Sequence, residues 1–149
     1  MTQTKLFIDM DGVLADFVGA VTSHPDYKEG TPLDSFDVFE DLKPIDGALE
    51  AVYKIIDSGK YDVFVLSTAP WDNPKAWMDK RIWIQRHLPE LKKRLILTHY
   101  KDLCCGSEND IIIDDRIVNG VERWGGVHLH FGRYSEYKDW GQILNYLGV

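Results

Sequence analysis

The chain has 149 residues, enough for one domain that buries about 70% of the surface its unfolded form would expose. With 44% hydrophobic and 28% charged residues, it reads as a folded globular domain and not as a disordered chain. The 17 basic residues stand against 24 acidic ones, and the net charge of −7 comes with no basic stripe. That excludes a long polyanionic partner but not a single phosphate held locally.

Met1–Lys5 runs straight into a strand-like stretch and lacks the parts of a signal peptide, so none is expected. The first strand is read at Leu6–Met10. Between Phe17 and Pro44 lie Pro25, Gly30, Pro32, several acids and two phenylalanines, a pattern that predicts a short helix followed by an inserted loop or small cap over residues 18–44. Leu49, Val52, Tyr53 and Ile56 recur at helical spacing between Gly47 and Gly59. Asp62–Ser67 is a β-branched, apolar strand. Asn73 and Pro74 open a helix that Pro89 closes after Leu88. Arg94–Thr98, Asp110–Ile113 and Val127–Phe131 read as further strands, and Trp140, Ile143, Leu144 and Leu147 place a closing amphipathic helix before Gly148.

Strands alternate with helices, and several strands are continuous apolar runs. That predicts an α/β fold: a doubly wound, Rossmann-like parallel sheet of about five strands, covered on both faces by helices, in one domain over residues 1–149. The longest apolar runs, such as Val63–Leu66 and Ile111–Ile113, fall far short of the ~20 residues of a membrane span. Cys104 and Cys105 are adjacent, a poor geometry for a disulfide, and two thiols are too few for a four-ligand zinc site. They read as an inert part of a turn in a reduced, cytoplasmic protein.

Ligands of an open parallel sheet bind beyond the carboxyl ends of its strands. Those ends carry Asp9, Met10, Asp11 and Gly12; Ser67, Thr68 and Ala69; Thr98, His99, Tyr100 and Lys101; and Asp114, Asp115 and Arg116. Carboxylates from two strands make an oxygen-rich site that would repel itself without a cation. Mg²⁺ suits it, because it takes a few carboxylates together with water and substrate phosphate. A lysine and a hydroxyl then suit phosphate oxygens, one carboxylate can attack phosphorus, and a second can shuttle the proton.

The motifs DMDGVLADF, STAP, Lys101 and IDDR, in that order, resemble those of the haloacid dehalogenase superfamily of phosphohydrolases. Within it the chain looks most like the cytosolic and mitochondrial 5′(3′)-deoxyribonucleotidases of the cytosolic type C 5′-nucleotidase family. FEDLKPIDGA at Phe39–Ala48 looks like that subgroup's return from the cap, and LILTHYK at Leu95–Lys101 like the approach to its lysine. The resemblance covers most of the chain. It implies a Mg²⁺-dependent phosphomonoesterase acting on (deoxy)nucleoside 5′-monophosphates, with Asp9 as the nucleophile that becomes an aspartyl-phosphate. Asp11 would be the general acid and base, with its backbone carbonyl on the metal. Thr68 would bind phosphate, with Ser67 as its rival, and Lys101 would neutralise phosphate and nucleophile. The metal would rest on Asp9, Asp11 and Asp115, with Asp114 orienting Lys101 or a metal-bound water. Gly12, Phe17, Thr68, Ala69 and Lys101 would contact the substrate.

The chain departs from the subgroup in three places. The insert is shorter than the cap of the animal nucleotidases, Ala69 stands where serine is frequent, and the stretch from Lys101 to Asp114 is longer. These departures leave the phosphatase chemistry intact and bear on substrate choice. Phe36 and Phe39 are the aromatic candidates for stacking on a base. Among the tryptophans only Trp71, beside the site loop, is a candidate for substrate contact. His128 and His130 share one side of a strand and read as a polar face. Two alternatives stay open: the same chemistry on a sugar phosphate or another small phosphometabolite, and a non-catalytic phosphate- or Mg²⁺-binding protein. The expected partner is a small phosphomonoester, with no long nucleic acid and no membrane; a homodimer is compatible with the sequence.

Overall fold

The computed structural model describes residues 3–149, so Met1 and Thr2 of the opening run lie outside it. Five strands, β1 (Thr4–Ile8), β2 (Tyr61–Ser67), β3 (Leu95–Leu97), β4 (Ile111–Asp114) and β5 (Val127–His130), form one sheet in the order β3-β2-β1-β4-β5. Every neighbouring pair is parallel. The helices are α1 (Phe17–Thr22), α2 (Ala48–Ser58), α3 (Pro74–His87) and α4 (Trp140–Leu147). None of them is long and apolar enough to cross a membrane.

Local chemistry explains the helix boundaries. Gly47 and Gly59 flank α2 with φ of +77° and +66°, a left-handed conformation that glycine adopts without a Cβ clash. Ala48, Ala51, Val52 and Ile55 are the stripe α2 buries. At α3 the Asn73 side chain accepts from the Ala76 amide, Pro74 takes the first turn, and the helix stops at Leu88 before Pro89. Asp139 caps α4 through the Gln142 amide.

The two faces of the sheet are covered unequally. Residues of α2, α3 and α4 join Leu6, Ile8, Val63, Val65, Ile111 and Ile113 in one large apolar cluster. The opposite face holds a smaller cluster around Phe7, Leu66 and Ile112, capped by Val121 and Trp124. The connections that in a doubly wound fold would cover this face are residues 98–110 and 115–126. They hold only the short 3₁₀ turns Lys101–Cys104 and Val121–Arg123. The strand order is that of a doubly wound sheet, with turns where full helices were expected on the second face.

The strand order reverses at β1, so β1 and β4 border the crevice where such sheets bind ligands. Ile8 pairs with both Val65 and Ile113. One step beyond, Asp9 and Asp114 therefore leave adjacent strands side by side, and the Asp9 amide donates to the Ile113 carbonyl at 2.9 Å. The first strand ends at Ile8, short of Met10, because the chain turns there: the Met10 carbonyl accepts the amides of Val13, Leu14 and Ala15. Trp140 of α4 braces this turn by donating from Nε1 to the Val13 carbonyl at 2.9 Å.

Residues 23–47 form no long element, only the 3₁₀ turns Leu33–Ser35 and Phe39–Asp41. The base of the segment is sewn to the core, with Asp16 N donating to Lys43 O and Ile45 N to Leu14 O, both at 2.8 Å. Its second half lies on α3. Trp83 Nε1 donates to the Leu42 carbonyl at 2.8 Å, and Lys75 reaches Glu40 at 3.3 Å and the buried Asp79 at 2.7 Å.

Candidate active site

Asp9, Asp114 and Asp115 present carboxylate oxygens within 4.8 Å of one another. Asp9 and Asp114 are buried, and Lys101 sits between them with Nζ 3.0 Å from Asp9 and 2.6 Å from Asp114. Lys101 is itself buried, at the start of the 3₁₀ turn that follows β3. Burial works against its charge, but the two carboxylates outweigh that and raise its pKa. The other Asp114 oxygen accepts from the Arg116 amide at 3.0 Å. Both Asp114 oxygens are thereby engaged, whereas Asp115 Oδ1 is buried without a partner. Burial, reinforced by the charges of Asp9 and Asp114, pushes the Asp115 carboxyl up to about 8. Burial and Asp9 push Asp114 up to about 6, against the pull of Lys101.

This oxygen set fits a hard divalent cation. An unpartnered buried carboxylate oxygen and two carboxyls that resist ionisation are what a missing positive charge would leave behind. The backbone makes room for it at Gly12, with φ of +81°. A Cβ built there would stand 2.3 Å from Asp115 Oδ2, so only glycine lets the loop after β1 approach this carboxylate so closely.

Asp11 turns away from this cluster to a partner the sequence reading missed. Lys80 of α3 is fully buried, with Nζ 2.5 Å from Asp11 Oδ2 and 3.0 Å from Ser67 Oγ. The same ammonium lies 5.0 Å from the centre of the Phe39 ring, within cation–π range. A signal for it existed. Lys80 stands on the stripe Ala76, Lys80, Trp83 and Ile84 that α3 buries, and a lysine on a core-facing stripe needs a charged partner. Burial raises the Asp11 pKa despite Lys80, and Asp11 Oδ1 has no hydrogen-bond partner. The two strand-end carboxylates thus have separate lysines: Lys101 for Asp9 and Lys80 for Asp11.

Asp11 and Asp115 open onto a cavity of about 560 Å³ that Gly12, Phe17, Thr68 and Ala69 also line, whereas Asp9, Asp114, Lys80 and Lys101 lie buried behind its wall. Thr68 lines it, with its hydroxyl donating to the Thr98 carbonyl at 2.6 Å, while Ser67 is buried against Lys80. Phe17 lies on the wall, stacked on Phe39 with centroids 5.1 Å apart. Phe36 is not on the wall: its ring is buried against His24 and Tyr27. Phe39 is part of the lining but only 1% exposed, with Phe17 stacked on it and the Lys80 ammonium against its ring. Neither ring of the insert offers the free face that stacking on a base requires. His128 and His130 of β5 meet the carbonyls of Asp114 and Asp115, each through Nε2 at 3.0 Å. They brace the backbone of the acidic pair. Cys104 and Cys105 are free thiols in the turn that carries Lys101.

Residues 32–138 match the family described as "5′ nucleotidase, deoxy (Pyrimidine), cytosolic type C protein". A protein of Vibrio phage KVP40, provisionally named 5′(3′)-deoxyribonucleotidase, is 40% identical over 95% of this chain and 83% of its own. The human 5′(3′)-deoxyribonucleotidase, cytosolic type, is 28% identical over 79% of this chain and 74% of its own. A solved structure from Burkholderia xenovorans, provisionally named a haloacid dehalogenase-like hydrolase, aligns over 89% of this chain and 85% of its own at 16% identity, with a TM-score of 0.47. With the family match spanning most of the chain and its acidic cluster at the switch point of the sheet, the protein belongs to the cytosolic type C 5′-nucleotidase family of phosphoric monoester hydrolases.

Proposed function

We propose that the protein dephosphorylates deoxynucleoside 5′-monophosphates through an aspartyl-phosphate on Asp9. The observation that carries this reading is the division of labour between the two carboxylates. Asp9 is fixed by Lys101 beside Asp114, while Asp11 lines the cavity and keeps a buried free oxygen. A site built only to bind phosphate would have no use for the second carboxylate.

In the first half-reaction an Asp9 oxygen attacks phosphorus, the bond from phosphorus to the 5′ oxygen breaks, and Asp11 gives that oxygen its proton. The raised Asp11 pKa favours the protonated form this step requires. In the second, Asp11 takes a proton from water, the water oxygen attacks phosphorus, and inorganic phosphate leaves with Asp9 restored. Thr68 and Lys101 hold the phosphate oxygens. Asp9, Asp115 and the Asp11 carbonyl would hold Mg²⁺, which supplies charge neutralisation for the transferring phosphoryl group. Asp114, with both oxygens engaged, orients Lys101. Residues 18–44 act as a small cap over this cavity. Two free thiols suit a cytoplasmic setting.

Asp9→Asn keeps the size and removes the attacking charge. Its kcat on a deoxynucleoside 5′-monophosphate falls at least about 10³-fold if covalent catalysis divides the reaction. Retention of more than about a tenth of wild-type turnover overturns the mechanism.

A further inference from the structure

The cavity is amphipathic from floor to mouth. Its floor is charged, whereas its mouth carries Val18, Leu33, Trp71 and Val118, all of them exposed apolar side chains. Trp71 leaves 76% of its surface exposed, which is uncommon for the largest apolar side chain outside a binding surface. It is nevertheless held. Trp77 and His99 meet its ring crosswise, at 82° and 67° with centroids 6.3 Å away, so neither lies parallel over an indole face. Trp77 in turn donates from Nε1 to the Pro70 carbonyl at 2.9 Å, tying the loop to α3. Pro70 and Pro74 stiffen the loop on either side.

We propose that Trp71 is the platform on which the base of the substrate stacks. This deepens the function proposed above and rests on it. Trp71 follows Thr68 by three residues, a reach of at most ~10 Å, which is the scale of the sugar that separates phosphate from base. Phe36 is buried away from the cavity and Phe39 lies beneath Phe17, so of the four aromatic rings that line the cavity, Phe17, Phe39, Trp71 and His99, only that of Trp71 is broadly exposed. The site would accept a planar heteroaromatic base and discriminate against phosphomonoesters without one.

The test compares wild type, Trp71→Ala and Trp71→Phe on thymidine 5′-monophosphate and on 2-deoxyribose 5-phosphate, which has the same sugar and phosphate but no base. Stacking of this kind predicts a KM for the nucleotide raised about fivefold to a hundredfold in Trp71→Ala. Its kcat, its melting curve and its kinetics on the sugar phosphate stay near wild type, and Trp71→Phe recovers most of the nucleotide KM. Equal losses on both substrates, no loss on either, or no recovery by phenylalanine overturns the platform while leaving the nucleotidase reading intact. Wild-type enzyme that turns over the sugar phosphate but not the nucleotide overturns both.

Discussion

At the residue scale the site is a set of charges that the fold alone does not balance. Asp115 and Asp114 have carboxyl pKa values of about 8 and about 6, far above the ~3.9 of an unfolded aspartate. The folded state therefore binds more protons than the unfolded state between roughly pH 4 and 8. Stability must fall as pH rises through that window. Without a divalent cation, the melting temperature is expected to decline from pH 5 to pH 8.5. Added Mg²⁺ should raise it more at pH 8 than at pH 5, because the cation binds the ionised carboxylates of the folded state. Scanning calorimetry over that pH range, with Mg²⁺ or with chelator, checks the sign; a Mg²⁺ effect larger at pH 5 would contradict it. Lys80 sets a second expectation. Replacing it with methionine leaves Asp11 and Ser67 without their shared cation and misplaces the carboxyl proposed as proton carrier. General acid catalysis contributes about 10²–10⁴-fold, so kcat on a deoxynucleotide should fall within that range. Release of p-nitrophenol in the first turnover of p-nitrophenyl phosphate, a leaving group that needs little protonation, should slow far less than the first-turnover release of nucleoside. Equal losses in the two first-turnover steps would assign Lys80 to packing alone.

At the element scale, α3 connects residues 36–44 to Asp11. One buried stripe of this helix carries Lys80 toward Asp11 and Trp83 toward the Leu42 carbonyl, while Lys75 on its first turn bridges Asp79 to Glu40. Any shift of α3 therefore moves Asp11 and residues 36–44 together. Trp83→Phe keeps an aromatic ring in the core but removes the indole donor. A buried acceptor left unsatisfied costs about 1–3 kcal/mol, which for a domain of this size lowers the melting temperature by several degrees. Because the lost bond anchors residues 36–44, the KM for nucleotide should rise as well. A change in melting temperature with kinetics untouched would detach the cap from α3. The loop after β2 is the counterpart on the opposite wall, with Trp77 and the two prolines keeping Trp71 in place.

At the scale of the whole molecule, the strand order sends connections to opposite faces on either side of β1 and leaves the crevice open where the order reverses. The second face has 3₁₀ turns in place of long helices. One carries Lys101, and the other packs on the cluster around Phe7 and Ile112. Short connections bring Lys101 between Asp9 and Asp114 without a long helix in between. The net charge of −7 agrees with the proposed small anionic substrate, since no extended positive field exists to gather a polyanion.

What the sequence determined by itself was whatever depends on neighbours along the chain. The period of α2 and α4, the caps at Asn73, Gly59 and Gly148, the five apolar strands, and the carboxylates, hydroxyl and lysine beyond strand ends all follow from local spacing and backbone chemistry. What only the tertiary structure decided was which of those groups meet. Lys80 lies 69 positions from Asp11, and no periodicity specifies a contact at that separation; it depends on the side of the sheet to which α3 returns. The same holds for Ser67, whose hydroxyl proved to face Lys80 while Thr68 faced the cavity, because adjacent side chains leaving a strand point to opposite sides. Phe36 and Phe39 looked available because an insert rich in turn residues reads as surface, yet both rings are buried. Burying an aromatic ring removes a large apolar area from water, and a segment with few other apolar groups anchors itself through its rings. Trp71 stayed exposed for the opposite reason: its loop is tied down by Trp77 and the two prolines, so its own ring was not needed as an anchor.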